Sequence, residues 1–199
     1  MMDIAEQINA ADREVRGRTV LIRRGYVAEI EDVWQACTDP ERISRWFLPV
    51  SGDLRLGGRY QLEGNAGGEI LRCEPPKLLR LSWIFGESTS YVQVRLDPVE
   101  GGTMFELEHS GLDDEQHWDQ FGPGAVGVGW DLTILGLGLH VAGLANPEGW
   151  GTSPEAYGLM TASAVAWGEA HEKAGEDPVQ ATAAAERTAA AYVPKQNLT

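Results

Sequence analysis

The stretch from Pro123 to Leu144 carries apolar residues on two sides of one helix, and few folds can accommodate that. Val126, Trp130, Ile134, Leu137 and Val141 recur at spacings of three and four and form one stripe. Val128, Leu132, Leu135 and Leu139 form a second. A helix with one apolar stripe rests on a surface, whereas a helix with two must be covered twice. Gly127, Gly129, Asp131, Gly136, Gly138 and His140 interrupt the run, so it reads as a buried core helix rather than a bilayer span.

One cover is a sheet. From Gly52 to Ser110 the hydrophobic period is two: Tyr60 and Leu62, then Leu79, Leu81, Trp83 and Phe85, then Val92, Val94 and Leu96, then Thr103, Phe105, Leu107 and His109. The turn clusters Gly64-Asn65-Ala66-Gly67-Gly68, Pro75-Pro76, Asp97-Pro98 and Gly101-Gly102 separate these runs. Short turns between alternating runs predict an antiparallel meander of six or seven strands with one buried face. Upstream, the patterning predicts a helix over about Ile4–Val15, a strand over about Arg18–Tyr26 and a short helix over Glu29–Cys37. Thr38 or Asp39 then caps a second short helix that has Pro40 in its first position.

The other cover comes from the C-terminus. Ser153 and Pro154 open a helix whose Tyr157, Met160, Ala164, Trp167 and His171 share a face. Gly175 to Pro178 stop it and start an Ala-rich helix that runs to about Tyr192. The expected division is residues 1–146 as the main domain and 147–199 as a helical extension packed on it, since neither helix can bury its face alone.

This order of elements resembles the SRPBCC (START-like, helix-grip) superfamily. The branch it resembles is named for the activator of Hsp90 ATPase homologue and overlaps the polyketide cyclase/dehydrase families. The resemblance is carried by Val33-Trp34-Gln35-Ala36, Thr38-Asp39-Pro40-Glu41-Arg42-Ile43, Trp46-Phe47 and Leu56-Gly57-Gly58-Arg59-Tyr60, then by Pro75-Pro76-Lys77-Leu78-Leu79, Ser82-Trp83, Gly101-Gly102-Thr103 and Gly129-Trp130. It covers about Arg18 to Leu144. It implies an α+β fold in which a curved antiparallel sheet grips the long helix around an internal cavity. It supplies no agreed catalytic set, and fold alone does not fix function. The co-chaperone that names the branch binds its chaperone through a separate N-terminal domain, to which nothing here corresponds.

Strand parity and the helix stripe put Tyr60, Trp83, Phe85, Phe105, His109, Trp130 and Ile134 around such a cavity, with Trp46 and Phe47 at the end of the second short helix closing its mouth, as the candidate site for a hydrophobic or aromatic ligand. The competing reading is a solid core of interlocked rings. His109 either orients a ligand or acts as an acid or base, or it is a satisfied histidine at the sheet rim. Asp131, in mid-helix, faces either solvent or the C-terminal helices, or else the cavity, where it needs a partner such as Arg72 or Tyr60. His117 and Trp118 fall in a polar loop that is either a lid over the cavity or an ordinary surface loop, and His140 and His171 read as packing residues. Gly122 to Gly127 formally match G-x-G-x-x-G, but no strand leads directly into them and no parallel strand follows. The histidines and the distant Cys37 and Cys73 lack metal-ligand spacing, so the reading includes neither a metal nor a cofactor, and both thiols are reduced.

A net charge of −14 argues against nucleic-acid and anionic-membrane partners. The N-terminal segment lacks an apolar signal region, so the expected location is cytoplasmic. Three functions stay open: a binder of a hydrophobic small molecule without catalysis, a cyclase or dehydratase acting on polyketide-like substrates, and a protein-interaction or co-chaperone-like module. A homodimer is compatible with each.

Overall fold

The structure is a computed structural model, and it describes residues 3–194. The two ends of the expected division, residues 1–2 and 195–199, lie outside the described residues. Among the described residues one sheet runs through β1 (Ala11–Arg16), β2 (Thr19–Tyr26), β3 (Val50–Gly52), β4 (Arg59–Leu62), β5 (Gly67–Glu74), β6 (Leu78–Phe85), β7 (Ser88–Val99) and β8 (Gly102–Ser110). Its order is β1-β2-β8-β7-β6-β5-β4-β3, and every pairing is antiparallel. Thr103, Phe105, Leu107 and His109 alternate with less buried neighbours along β8, as its period of two requires.

Eight strands exceed the six or seven expected, and β1 accounts for most of the difference. The opening helix, α1 (Ile4–Asn9), stops where a helix to Val15 was expected, and the chain turns into β1. β1 pairs with β2 from Ala11 opposite Arg24 to Arg16 opposite Thr19. Gly17, at φ 56°, makes the turn between them. The inward positions of β1 are Ala11, Arg13 and Val15. The arginine hides the alternation, and an Ala and a Val four apart imitate a helix face.

The two short helices are α2 (Ile30–Thr38) and α3 (Pro40–Ile43). Asp39 caps α3 by accepting from the Glu41 and Arg42 backbone N–H groups. After β8 the expected loop holds a further helix, α4 (Glu115–Phe121), capped by Asp114 through the His117 N–H. The long helix, α5 (Gly124–Val141), follows, and then α6 (Pro154–Lys173) and α7 (Pro178–Tyr192). The G-x-G-x-x-G run spans the α4–α5 corner and the first turn of α5, and among the described residues no parallel strand lies on either side of it.

Both faces of α5 are covered. Ile134 lies toward the sheet, where its carbonyl accepts from the Tyr26 hydroxyl at 2.7 Å. Val128 packs against Ala156, Met160 and Ala164 of α6. Gly127 makes that second contact possible: a Cβ there would fall 2.3 Å from the ring of the fully buried Trp167. Asp131 fastens three elements together. Its carboxylate accepts from Arg13 Nε (3.0 Å) and Nη2 (2.6 Å), from Ser163 Oγ (2.5 Å) and from Trp167 Nε1 (2.9 Å). Of the expected alternatives, then, the contact with the C-terminal helices is realised, and the partner is Arg13 of the strand that had read as helix. By length and composition α5 could cross a bilayer, but protein on both faces and a buried ion pair make it the core helix of this fold.

Candidate functional site

The sheet and α5 do not close on each other. Between them lies a chamber of about 170 Å³ walled by Tyr60, Leu62, Leu79, Leu81, Val94, Phe105, Leu107 and Trp46. Cys37 and Cys73 also border it, as free thiols. Leu79, Leu81, Trp83 and Val94 point inward yet stay only partly buried, because they face unfilled space. Around the end of the sheet a wider cleft of about 870 Å³ opens between the β6–β7 hairpin, the end of β8, α4 and the first turns of α5. Phe47, Trp83, Trp130 and Thr133 border both spaces.

A cluster of rings stands at that junction. Trp83 and Trp130 have centroids 5.2 Å apart at 60°, and the His109 ring lies 6.0 Å from Trp83 and 5.7 Å from Trp130. The hydrogen bonds determine the tautomer of His109. Trp130 Nε1–H donates to His109 Nδ1 at 3.1 Å, so Nδ1 is the acceptor and Nε2 carries the proton. Nε2 then donates to Ser90 Oγ at 2.8 Å, and the serine hydroxyl donates to the Trp83 carbonyl at 3.2 Å. Burial lowers the imidazole to about 4, so it is neutral at physiological pH. A second proton would also have to sit on Nδ1, facing an indole N–H. His109 therefore has no free lone pair with which to act as a base. Its two nitrogens instead link the Trp130 indole on α5 to Ser90 on β7.

Tyr60 is similarly engaged. Its hydroxyl donates to the Ser82 carbonyl at 2.9 Å, and burial pushes its ionisation far above the ordinary tyrosine range. Trp46 donates from Nε1 to the Ala36 carbonyl at 3.0 Å and stacks on Phe47, with centroids 5.8 Å apart.

Eight of the nine residues expected around the cavity border one of the two spaces. Trp46, Tyr60 and Phe105 line the chamber, Phe85 and His109 line the cleft, and Phe47, Trp83 and Trp130 touch both. Phe85, 61% exposed, is a rim residue at the hairpin tip. Ile134 departs from the expectation: it is buried against Tyr26, and Thr133, one position earlier on α5, reaches the cavity instead. The stripe through Trp130 and Ile134 is broad enough that its two edges meet different neighbours. Sequence reasoning missed Ser90, whose role rests on the register of β7 against β8 that places Val92 opposite His109. It also missed Tyr192 at the end of α7, which borders the cleft and belongs to the C-terminal extension. His117 does face the cleft, from α4 rather than from a loop.

Comparison with known proteins places this geometry. Residues 27–138 match the family model for Activator of Hsp90 ATPase homolog 1-like protein. The crystal structure of CalU16 from Micromonospora echinospora is 39% identical over 81% of this chain and 98% of that one, with a TM-score of 0.69. The solution NMR structure of CalU16 gives 37% identity over 83% and 97%, again with a TM-score of 0.69. The sheet and α5 span less of the chain than that, so the likeness to CalU16 extends into the C-terminal helices. DynU16, described as a protein of the dynemicin biosynthetic locus, shares the fold at 21% identity over 64% of this chain and 48% of its own, with a TM-score of 0.54. Among curated proteins no significant match is found. The helix-grip architecture, the open space beneath its sheet and the match over more than half of the sequence agree: this chain belongs to the activator of Hsp90 ATPase homolog 1-like family, within the SRPBCC superfamily.

Proposed function

We propose that this protein binds a hydrophobic small molecule between its sheet and α5, with a flat apolar ring in the inner chamber and the remainder of the ligand in the outer cleft. One observation carries the reading: inward-facing apolar side chains border about 170 Å³ that the protein does not fill. An apolar cavity of roughly 150 Å³ stays dry and takes a benzene ring, so this chamber suits one ring or a small fused pair. Drug-sized ligands occupy sites of roughly 300–1,000 Å³, and the outer cleft at about 870 Å³ is within that range.

The rival reading, a cyclase or dehydratase, needs a proton donor or acceptor free to work at the reacting atoms. His109 and Tyr60 are the titratable candidates among the expected site residues, and each spends its hydrogen bonds on the protein. The expected site residues thus favour binding over catalysis, and the titratable side chains left to a reaction are Asp113, Asp114 and His117 at the outer cleft. Native mass spectrometry of freshly purified protein, beside a Val94→Phe variant that fills the chamber, tests it. The expected result is a bound mass, or saturable uptake of toluene, in the wild type and its loss in the variant. A folded wild type that takes up neither, in the same state as the filled variant, would defeat the reading.

A further inference from the structure

The C-terminal extension does more than cover the back of α5, since its last turn reaches the cleft. Tyr192 borders that cleft together with Ala125, Val126 and Gly129 of α5. Its hydroxyl donates to the Ala125 carbonyl at 2.9 Å, which fixes the ring beside the helix. The preceding turn is held just as firmly. Thr188, 1% exposed, donates to the Phe121 carbonyl at 2.8 Å, and Arg187 donates from Nε to the Gln120 carbonyl at 2.5 Å. Both acceptors are carbonyls at the C-terminal end of α4, which no further helical turn satisfies. Gly124 permits the approach, because a Cβ there would lie 3.0 Å from Thr188 Cγ2. α7 is thus anchored to the α4–α5 corner, and that corner with Tyr192 forms one side of the cleft.

We infer that Tyr192 is a specificity-determining residue of the ligand site: it bounds the outer cleft and selects among ligands by the part that extends beyond the inner chamber. This rests on the ligand-binding reading above. The residues that meet the chamber, among them Trp83, Phe105 and Trp130, lie within the segment that matches the family model, whereas Tyr192 lies beyond it. A ligand small enough for the chamber does not meet the tyrosine, while a longer one extends into the cleft that its ring bounds.

The test compares two neutral probes on the full chain. Toluene fits the chamber, and N-phenyl-1-naphthylamine is too large for it and must occupy the cleft. Tyr192→Ala is expected to weaken the naphthylamine by about five-fold or more and to leave toluene within about two-fold, as loss of one ring contact from only the outer subsite predicts. Tyr192→Phe, which keeps the ring, is expected to bind both probes within about two-fold of wild type. Should the alanine variant fail to fold, Tyr192→Trp decides, because the larger ring narrows the cleft and should again shift the naphthylamine alone. Equal binding of both probes by wild type and by the folded Ala or Trp variant overturns the inference and leaves the ligand-binding reading intact. Failure of wild type to bind either probe, with no co-purifying mass in its native spectrum, overturns both.

Discussion

Lowering the pH should weaken this protein through His109 before most of its carboxylates titrate. In the fold the imidazole is neutral down to about 4, against 6.5 for an unperturbed histidine. Between those values the unfolded chain takes up a proton that the native state refuses, so the contribution is present above pH 6.5 and lost as pH falls toward 4. At ~1.4 kcal/mol per pH unit the full gap is worth about 3 kcal/mol, of which about 2.5 should be gone at a pH of roughly 4.5. His109 is 3% exposed, so solvent screening offers little relief. The perturbation is His109→Gln, which removes the titration and keeps a polar side chain. Urea unfolding of both proteins at several pH values from about 7.5 to about 4.5 gives two stability profiles. Burial also lowers His140 and His171, but these titrate in both proteins and cancel in the difference. Wild type should lose about 2.5 kcal/mol more than the variant over this range, whatever the variant's stability at neutral pH. Trp130→Phe adds a second arm. It keeps an aromatic ring but removes the donor to Nδ1, and by NMR titration the imidazole should move upward by about one pH unit, the worth of one such bond. Parallel profiles for wild type and His109→Gln, within about 0.5 kcal/mol, would refute the buried, neutral assignment.

Two further predictions concern how α5 is held. Asp131→Ala leaves Arg13, Ser163 and Trp167 without their shared acceptor, and should cost about 3–5 kcal/mol in urea unfolding; Arg13→Met with Asp131→Leu should cost much less, because no charge is then left buried and unpaired. Gly127→Ala should destabilise by about 1–3 kcal/mol despite the better helix propensity of alanine, since its Cβ meets the Trp167 ring; Gly129→Ala, whose Cβ reaches only ordinary contact with Tyr192, should be neutral or stabilising by calorimetry.

Side-chain alternation was enough to assign the buried face of β8, to place Trp83 and Trp130 on facing elements and to require a second cover for α5. These are local periodicities, and a period of two or of 3.6 sorts residues onto faces before any partner is known. The caps behaved likewise: Asp39, Ser153 and Asp177 each sit at the start of the helix that the chain pattern announced, because a cap is satisfied within its own first turn. What only the tertiary structure decided has a different character. β1 is a strand because it pairs with β2, and its inward Arg13 is accommodated there by Asp131, 118 residues away; nothing local distinguishes that arginine from a solvated one. His109 is locked in one tautomer by donors and acceptors from β7 and α5, and Tyr192 borders the cleft because α7 folds back on the α4–α5 corner. The gap between sheet and helix is the clearest case, since it depends on how far two surfaces stand apart. Residue order encodes which faces must be buried; how completely they fill the space between them is settled only when all the elements pack at once.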